Sequence, residues 1–129
     1  MFLNIEYMGI NNKRIGWTKI EDVAVFLIDF SELKGDILRE HILHCCLEAD
    51  KIESKTLFYI DFSNSKMTFE LTNYLVEVSK RIQPNVQKSV ILGVKGYKRF
   101  LFFIYSKLTK SKAKLFEDKN LAFKYLVSR

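Results

Sequence analysis

Proline occurs once in this 129-residue chain, and glycine five times. That scarcity leaves no stretch with the composition of a flexible linker or a disordered segment. Cysteine occurs only as the adjacent pair Cys45-Cys46. Successive helical residues point about 100° apart, so such a pair rarely bridges. No CxxC or Cys/His spacing suggests zinc. Both cysteines read as reduced thiols, with Cys45 filling a core position. No apolar run approaches the roughly 18 residues that span a bilayer. The segment Met1-Phe2-Leu3-Asn4-Ile5-Glu6 has neither a basic n-region nor a long apolar h-region, so no signal peptide is expected and the expected location is cytoplasmic.

What is present is the material of a core. The chain is 48% hydrophobic and 28% charged, which suits one globular domain over residues 1–129. A chain of this length buries roughly two-thirds of its unfolded surface and needs no disulfide or metal staple. The net charge of +6 is unevenly placed. Residues 1–60 hold 7 Lys/Arg against 10 Asp/Glu, and residues 61–129 hold 14 against 5, so the net charge is −3 in the first part and +9 in the second. That asymmetry is a hint about partners.

Three segments align without gaps. Val25-Phe26-Leu27-Ile28-Asp29-Phe30-Ser31 matches Leu57-Phe58-Tyr59-Ile60-Asp61-Phe62-Ser63, and both match Ser89-Val90-Ile91-Leu92-Gly93-Val94-Lys95. Asp29, Asp61 and Gly93 are spaced by 32 residues. A fixed period of this size marks one repeated supersecondary unit. Each segment is a short apolar run rich in β-branched and aromatic residues, which predicts a strand of a parallel sheet buried on both faces. Parallel neighbours need a crossover, normally a helix.

The intervening stretches supply helices. Asp36 is an expected N-cap, followed by Ile37, Leu38, Ile42, Cys45 and Ala49 at helical spacing. Thr68 is the expected cap of a second helix with Leu71, Leu75, Val78 and Ile82 inward, closed by Pro84. A third is expected over 98–108, with Phe100, Leu101, Ile104 and Leu108 as its apolar set. Residues 113–116 predict a short strand, and Asp118 caps a last helix with Leu121, Ala122, Tyr125 and Leu126 inward. At the N-terminus, Phe2 to Tyr7 reads as a strand and Asn11-Asn12 as a turn. Residues 13–19 read as a further strand, antiparallel at the sheet edge. The expected class is α/β, with a mostly parallel sheet of about four to five strands.

The runs Phe26 to Ser31, Tyr59 to Ser63 and Ile91-Leu92-Gly93-Val94-Lys95-Gly96-Tyr97-Lys98-Arg99 together resemble the SpoIIAA-like branch of the STAS superfamily, relatives of sporulation anti-sigma-factor antagonists. So does the end, Lys114-Leu115-Phe116-Glu117-Asp118 followed by Ala122 and Tyr125-Leu126, where Tyr125 stands in place of that branch's usual Trp. The likeness covers roughly residues 23–127. It implies a β/α superhelical repeat with the parallel strands side by side and the helices mainly on one side, and a non-enzymatic role in protein–protein signalling. Better-known members are switched off by phosphorylation of a Ser in an Asp-Ser-Ser-Gly or similar motif. This chain reads Asp61-Phe62-Ser63-Asn64-Ser65-Lys66-Met67-Thr68. Ser63, Ser65 and Thr68 lie in the corresponding region, but the Ser-Gly step is absent.

The candidate site residues gather at the expected C-terminal strand ends, where open α/β sheets bind ligands. Asp29 and Asp61 could act as paired carboxylates on a metal or in acid–base work. Without a His in the same loop, they read instead as acceptors for the backbone of the following turn. Gly93-Val94-Lys95-Gly96 before a helix could attract an anion, or simply form a tight turn. His41 and His44 read as surface or boundary residues. The run Lys95, Lys98, Arg99, Lys107, Lys110, Lys112 and Lys114 contains no acid and is interleaved with aromatics. It reads as a solvated basic face behind a packed one. Exposure of Phe102 or Phe103 would instead mark a partner-facing patch or a dimer interface. The leading expectation is a module without a cofactor that docks a protein partner, with a homodimer as one possibility. A binder of anionic lipid surfaces comes second, and an enzyme using Asp29 and Asp61 last. Nucleic acid is not the expected partner.

Overall fold

The computed structural model describes residues 6–7, 10–11 and 14–128. In chain order the strands are β1 (Glu6–Tyr7), β2 (Ile10–Asn11), β3 (Ile15–Ile20), β4 (Val23–Asp29), β5 (Thr56–Asp61), β6 (Val86–Leu92) and β7 (Lys114–Phe116). The helices are α1 (Gly35–Ala49), α2 (Phe69–Ile82), α3 (Tyr97–Thr109) and α4 (Lys119–Val127). β1 and β2 form a small antiparallel hairpin. Asn11 therefore belongs to a strand rather than a turn, and Phe2 to Ile5 lie outside the described residues.

The main sheet has the order β3-β4-β5-β6-β7, which is also the chain order. β3 runs antiparallel to β4, and the other three pairings are parallel, so the sheet is mixed. The β3–β4 hairpin closes through Glu21 and Asp22, with φ of 50° and 67°. A two-residue loop with both φ positive has the twist that hairpins favour.

Alternation along each strand feeds two cores. Phe26, Ile28, Phe30 and Phe58 pack under Leu38 and Ile42 of α1, Leu71 and Val78 of α2, and Leu101 of α3. Val25, Leu57, Tyr59, Val90 and Leu92 meet Ala122 and Leu126 of α4 on the opposite face. When strands follow chain order, right-handed crossovers deliver their helices to one face. α1, α2 and α3 share that face, and α4, which is not a crossover, covers the other. Burying a Phe, Leu or Ile side chain contributes about 1.5–3 kcal/mol, so Phe26, Phe30, Leu38 and Ile42, all essentially sealed from solvent, are the main anchors.

Local signals hold for two helices and fail for one. Thr68 Oγ1 accepts from the Leu71 N–H, and Asp118 Oδ1 accepts from the N–H groups of Asn120 and Leu121. α1 instead has Lys34 at its N-cap, with no side-chain capping bond, and Asp36 inside its first turn. There Asp36 faces the positive end of the helix dipole. Ile37 and Leu121, expected inward, are exposed. His41 takes the inward place: it is 2% exposed, with its Nδ1 2.8 Å from the Ile37 carbonyl. Cys45 is buried and both thiols are free.

The repeat holds for two units and slips in the third. Phe26 pairs with Phe58 and Asp29 with Asp61, an offset of 32. Phe58 pairs with Ser89 and Asp61 with Leu92, an offset of 31, after a register shift at Thr56/Leu57. A one-residue slip exchanges the two faces of a strand. Ser89 and Ile91, rather than Val90 and Leu92, are therefore the β6 counterparts of Phe58 and Ile60.

Candidate functional site

The first two units end in the same turn. Asp29 Oδ1 accepts from the Ser31 N–H at 2.9 Å, and Asp61 Oδ1 accepts from the Ser63 N–H at 2.8 Å. The Phe30 N–H donates to the Asp61 carbonyl, and the Phe62 N–H to the Leu92 carbonyl, each at 2.8 Å. These turns explain both acids as backbone acceptors. Arg14 lies against Asp29 at 3.6 Å and also donates to the Asp29 and Ser31 carbonyls.

The loops are laced to one another. The Glu32 N–H donates to the Ser63 carbonyl and the Lys66 N–H to the Leu33 carbonyl. Glu32 and Asn64, both at positive φ, meet side chain to side chain at 2.7 Å. Lys98 Nζ donates to the Phe62 carbonyl at 2.8 Å, and the Tyr97 hydroxyl to the Met67 carbonyl at 2.8 Å. The start of α3 is thus tied to the loop after β5. Phe30 and Phe62 form a ring pair 5.5 Å apart beneath that loop edge. Gly93 occupies the corresponding place after β6, where a Cβ would fall on Ser63 N and Cα. The third unit ends in glycine because the neighbouring loop fills that space.

The hydroxyl candidates separate by accessibility. Ser65 is buried and donates to the Phe62 carbonyl, and Thr68 is spent on the α2 cap. Ser63 is half-buried, so Ser65 is the least reachable of the three. Lys95 and Arg99 are exposed and Lys98 is half-buried. Burial holds the Lys98 ammonium below the ordinary lysine range; Asp61 acts against that shift, while Lys66 and Lys95 add to it.

α3 corrects the expected apolar set. Its inner side carries Lys98, Leu101, Phe102, Tyr105 and Thr109, the spacing of one helical face. Tyr105 reaches Ser79 of α2, hydroxyl to hydroxyl, at 2.6 Å. Phe100, assigned to the core by spacing, is 64% exposed, and Leu108 also faces outward. Tyr97, Phe100, Ile104 and Leu108 recur at intervals of three or four and form one outer stripe. Phe103 flanks it at 57% exposure, with Lys107 Nζ 5.4 Å from its ring centre. Phe102 is only partly covered. No spacing rule distinguishes these faces, because apolar residues surround the helix on nearly every side.

Among the described residues no group of three or more His, Cys, Asp or Glu side chains could hold a metal ion. No helix among them is long and apolar enough to cross a membrane. Comparison of the chain with protein-family models, curated proteins and solved structures gives no match.

Proposed function

We propose that this protein is a non-enzymatic docking module, comparable to STAS-type signalling domains, that binds a partner protein through the outer face of α3 and the loop edge tied to its start. The observation that carries this reading is the outer stripe of exposed Tyr97, Phe100 and Leu108, with half-buried Ile104 between them and exposed Phe103 beside it. Large aromatic side chains left in water favour association, because covering them releases apolar surface. The same helix contains no acid, and Lys95, Arg99, Lys107 and Lys110 surround the stripe. A partner with an apolar centre and an acidic rim fits that pattern. The strands in chain order, with three crossover helices on one face, support the STAS comparison for the fold.

The test is a pull-down from native lysate at physiological salt, with wild-type protein and the doubly substituted Phe100→Ser/Phe103→Ser variant as baits. A protein retained by the wild type and lost with the folded variant is the expected result. Retention unchanged by the double substitution, or no protein retained at all, refutes the reading.

A second reading follows from the same basic aromatic helix, with an anionic bilayer surface in place of the protein. Co-sedimentation with vesicles made with and without phosphatidylserine separates the two. Binding that requires the anionic lipid and is lost with the double substitution favours the bilayer; no binding, or binding indifferent to lipid charge, removes it.

A further inference from the structure

The register of the sheet leaves volume missing beneath α3. Across β4, β5 and β6 the helix-side positions read Phe26, Phe58, Ser89 in one row and Ile28, Ile60, Ile91 in the next. The row that carries Phe on both other strands therefore ends in Ser89 on β6, and Ser89 lines the space that results. α2 contributes more small side chains, Thr72 and Ser79, to the same region. The outcome is an apolar cavity of about 90 Å³ between α2, α3 and the sheet.

We propose that this cavity is a binding site for a short-chain monocarboxylate, with its hydrocarbon tail between Ser89, Ile91 and Leu101 and its carboxylate at Lys98. The size follows from comparison: an apolar cavity of about 150 Å³ accepts benzene, so this one encloses a tail of about four carbons. The charge follows from the lining. Lys98 borders the cavity together with Val94 and Leu101, and its ammonium has three N–H donors, of which one reaches the Phe62 carbonyl. Lys66 and Lys95 add positive potential at Lys98. Asp61 is the carboxylate acting there, and its Oδ1 already accepts from the Ser63 N–H. An arriving carboxylate gives an acceptor to the Lys98 N–H groups not spent on the Phe62 carbonyl, in a site where the partial burial of Lys98 strengthens the attraction. This site is separate from the outer face of α3 and does not depend on the docking proposal.

The experiment is a titration of the full chain followed through its methyl NMR signals, with pentanoate and with 1-pentanol as its neutral counterpart. Saturable shifts at the Val94, Ile91 and Leu101 methyls are expected with pentanoate. Lys98→Met should weaken pentanoate at least tenfold and change pentanol less than threefold. Ser89→Leu, which fills the cavity, should abolish both, and Ser89→Val takes its place if that variant does not fold. Shifts that are absent, that fail to saturate, or that persist in the filled variant overturn the site. Equal losses for acid and alcohol on Lys98→Met overturn the assignment of the carboxylate.

Discussion

Replacing Gly93 by alanine tests how closely the third unit approaches the second. Gly93 has a φ of +79°, where an L side chain costs about 1–2 kcal/mol through the contact of its Cβ with the following carbonyl. The Cβ would also fall on Ser63 N and Cα and lie 2.7 Å from the Phe62 carbonyl carbon. All three are backbone atoms, so no change of rotamer relieves the overlap. The loop after β5 must retreat, which loosens the 2.8 Å bond from the Phe62 N–H to the Leu92 carbonyl. A net hydrogen bond contributes about 1 kcal/mol. Together these terms give a loss of about 2–3 kcal/mol, at the upper end of the ordinary range for a single substitution. Gly35→Ala is the matched control, since Gly35 has a φ of +62° and nothing within 4 Å of its added Cβ. It should lose only the conformational part, about 1–2 kcal/mol. Urea denaturation of both variants gives the difference directly. Equal losses at the two sites, within about 0.5 kcal/mol, would refute the close approach and with it the reason for glycine at the end of the third unit.

Three further outcomes are expected. The hairpin substitutions Glu21→Asn and Asp22→Gly, made together, should raise stability by about 1 kcal/mol, because both positions sit at positive φ; a lower urea midpoint would contradict the turn. Partial burial pushes the Cys46 thiol from 9.0 up to about 11, with Asp50 adding to the shift and Arg81 opposing it. Its reaction with a disulfide reagent at pH 8 should be about tenfold slower than that of a free cysteine, and reaction at the free-cysteine rate would count against the packing. Burial also holds the His44 imidazole below its ordinary value of 6.5, with Glu48 opposing it. The neutral form is then favoured in the fold, so its small contribution is complete above about pH 6.5 and declines as pH falls below that. Urea midpoints at pH 7.5 and 5.5 should converge in His44→Gln, and an unchanged pH dependence would show that His44 is not the source.

β4 and β5 were legible because each is a nearly continuous apolar run, and the two keep the same phase. β6 was legible as a strand but not in its facing. The identity of Asp29 with Asp61 drew Gly93 into line, and nothing in the local pattern marks the register shift at Thr56/Leu57. The turns at Asp29 and Asp61 were readable from side-chain chemistry, since an Asp at a strand end accepts from the N–H two residues on. Arg14 was not, because only the β3–β4 pairing brings it beside Asp29. The outer stripe of α3 was hidden for another reason. Its inner face includes Lys98 and Thr109, while Phe100 and Leu108 point outward, so hydrophobicity alone selects the wrong side. Lys98 belongs inside because the Phe62 carbonyl gives its ammonium an acceptor.

A sheet whose spatial order equals its chain order also determines how the chain can assemble. Each main-sheet strand pairs with the one made just before it, so no partner has to be awaited from a distant segment. Loop closure across about 31–32 residues recurs for the β4–β5 and β5–β6 pairings, a cost that grows only slowly with length. The fold can therefore grow from one end during synthesis. Every partial product then presents the bare edge of its last strand, and that edge is ready to accept a segment from another chain. β7 ends this vulnerability with only three residues, one of them Lys114. Shortening the chain before β7 would leave β6, with its seven residues, as an unprotected edge, and self-association rather than simple unfolding is the consequence.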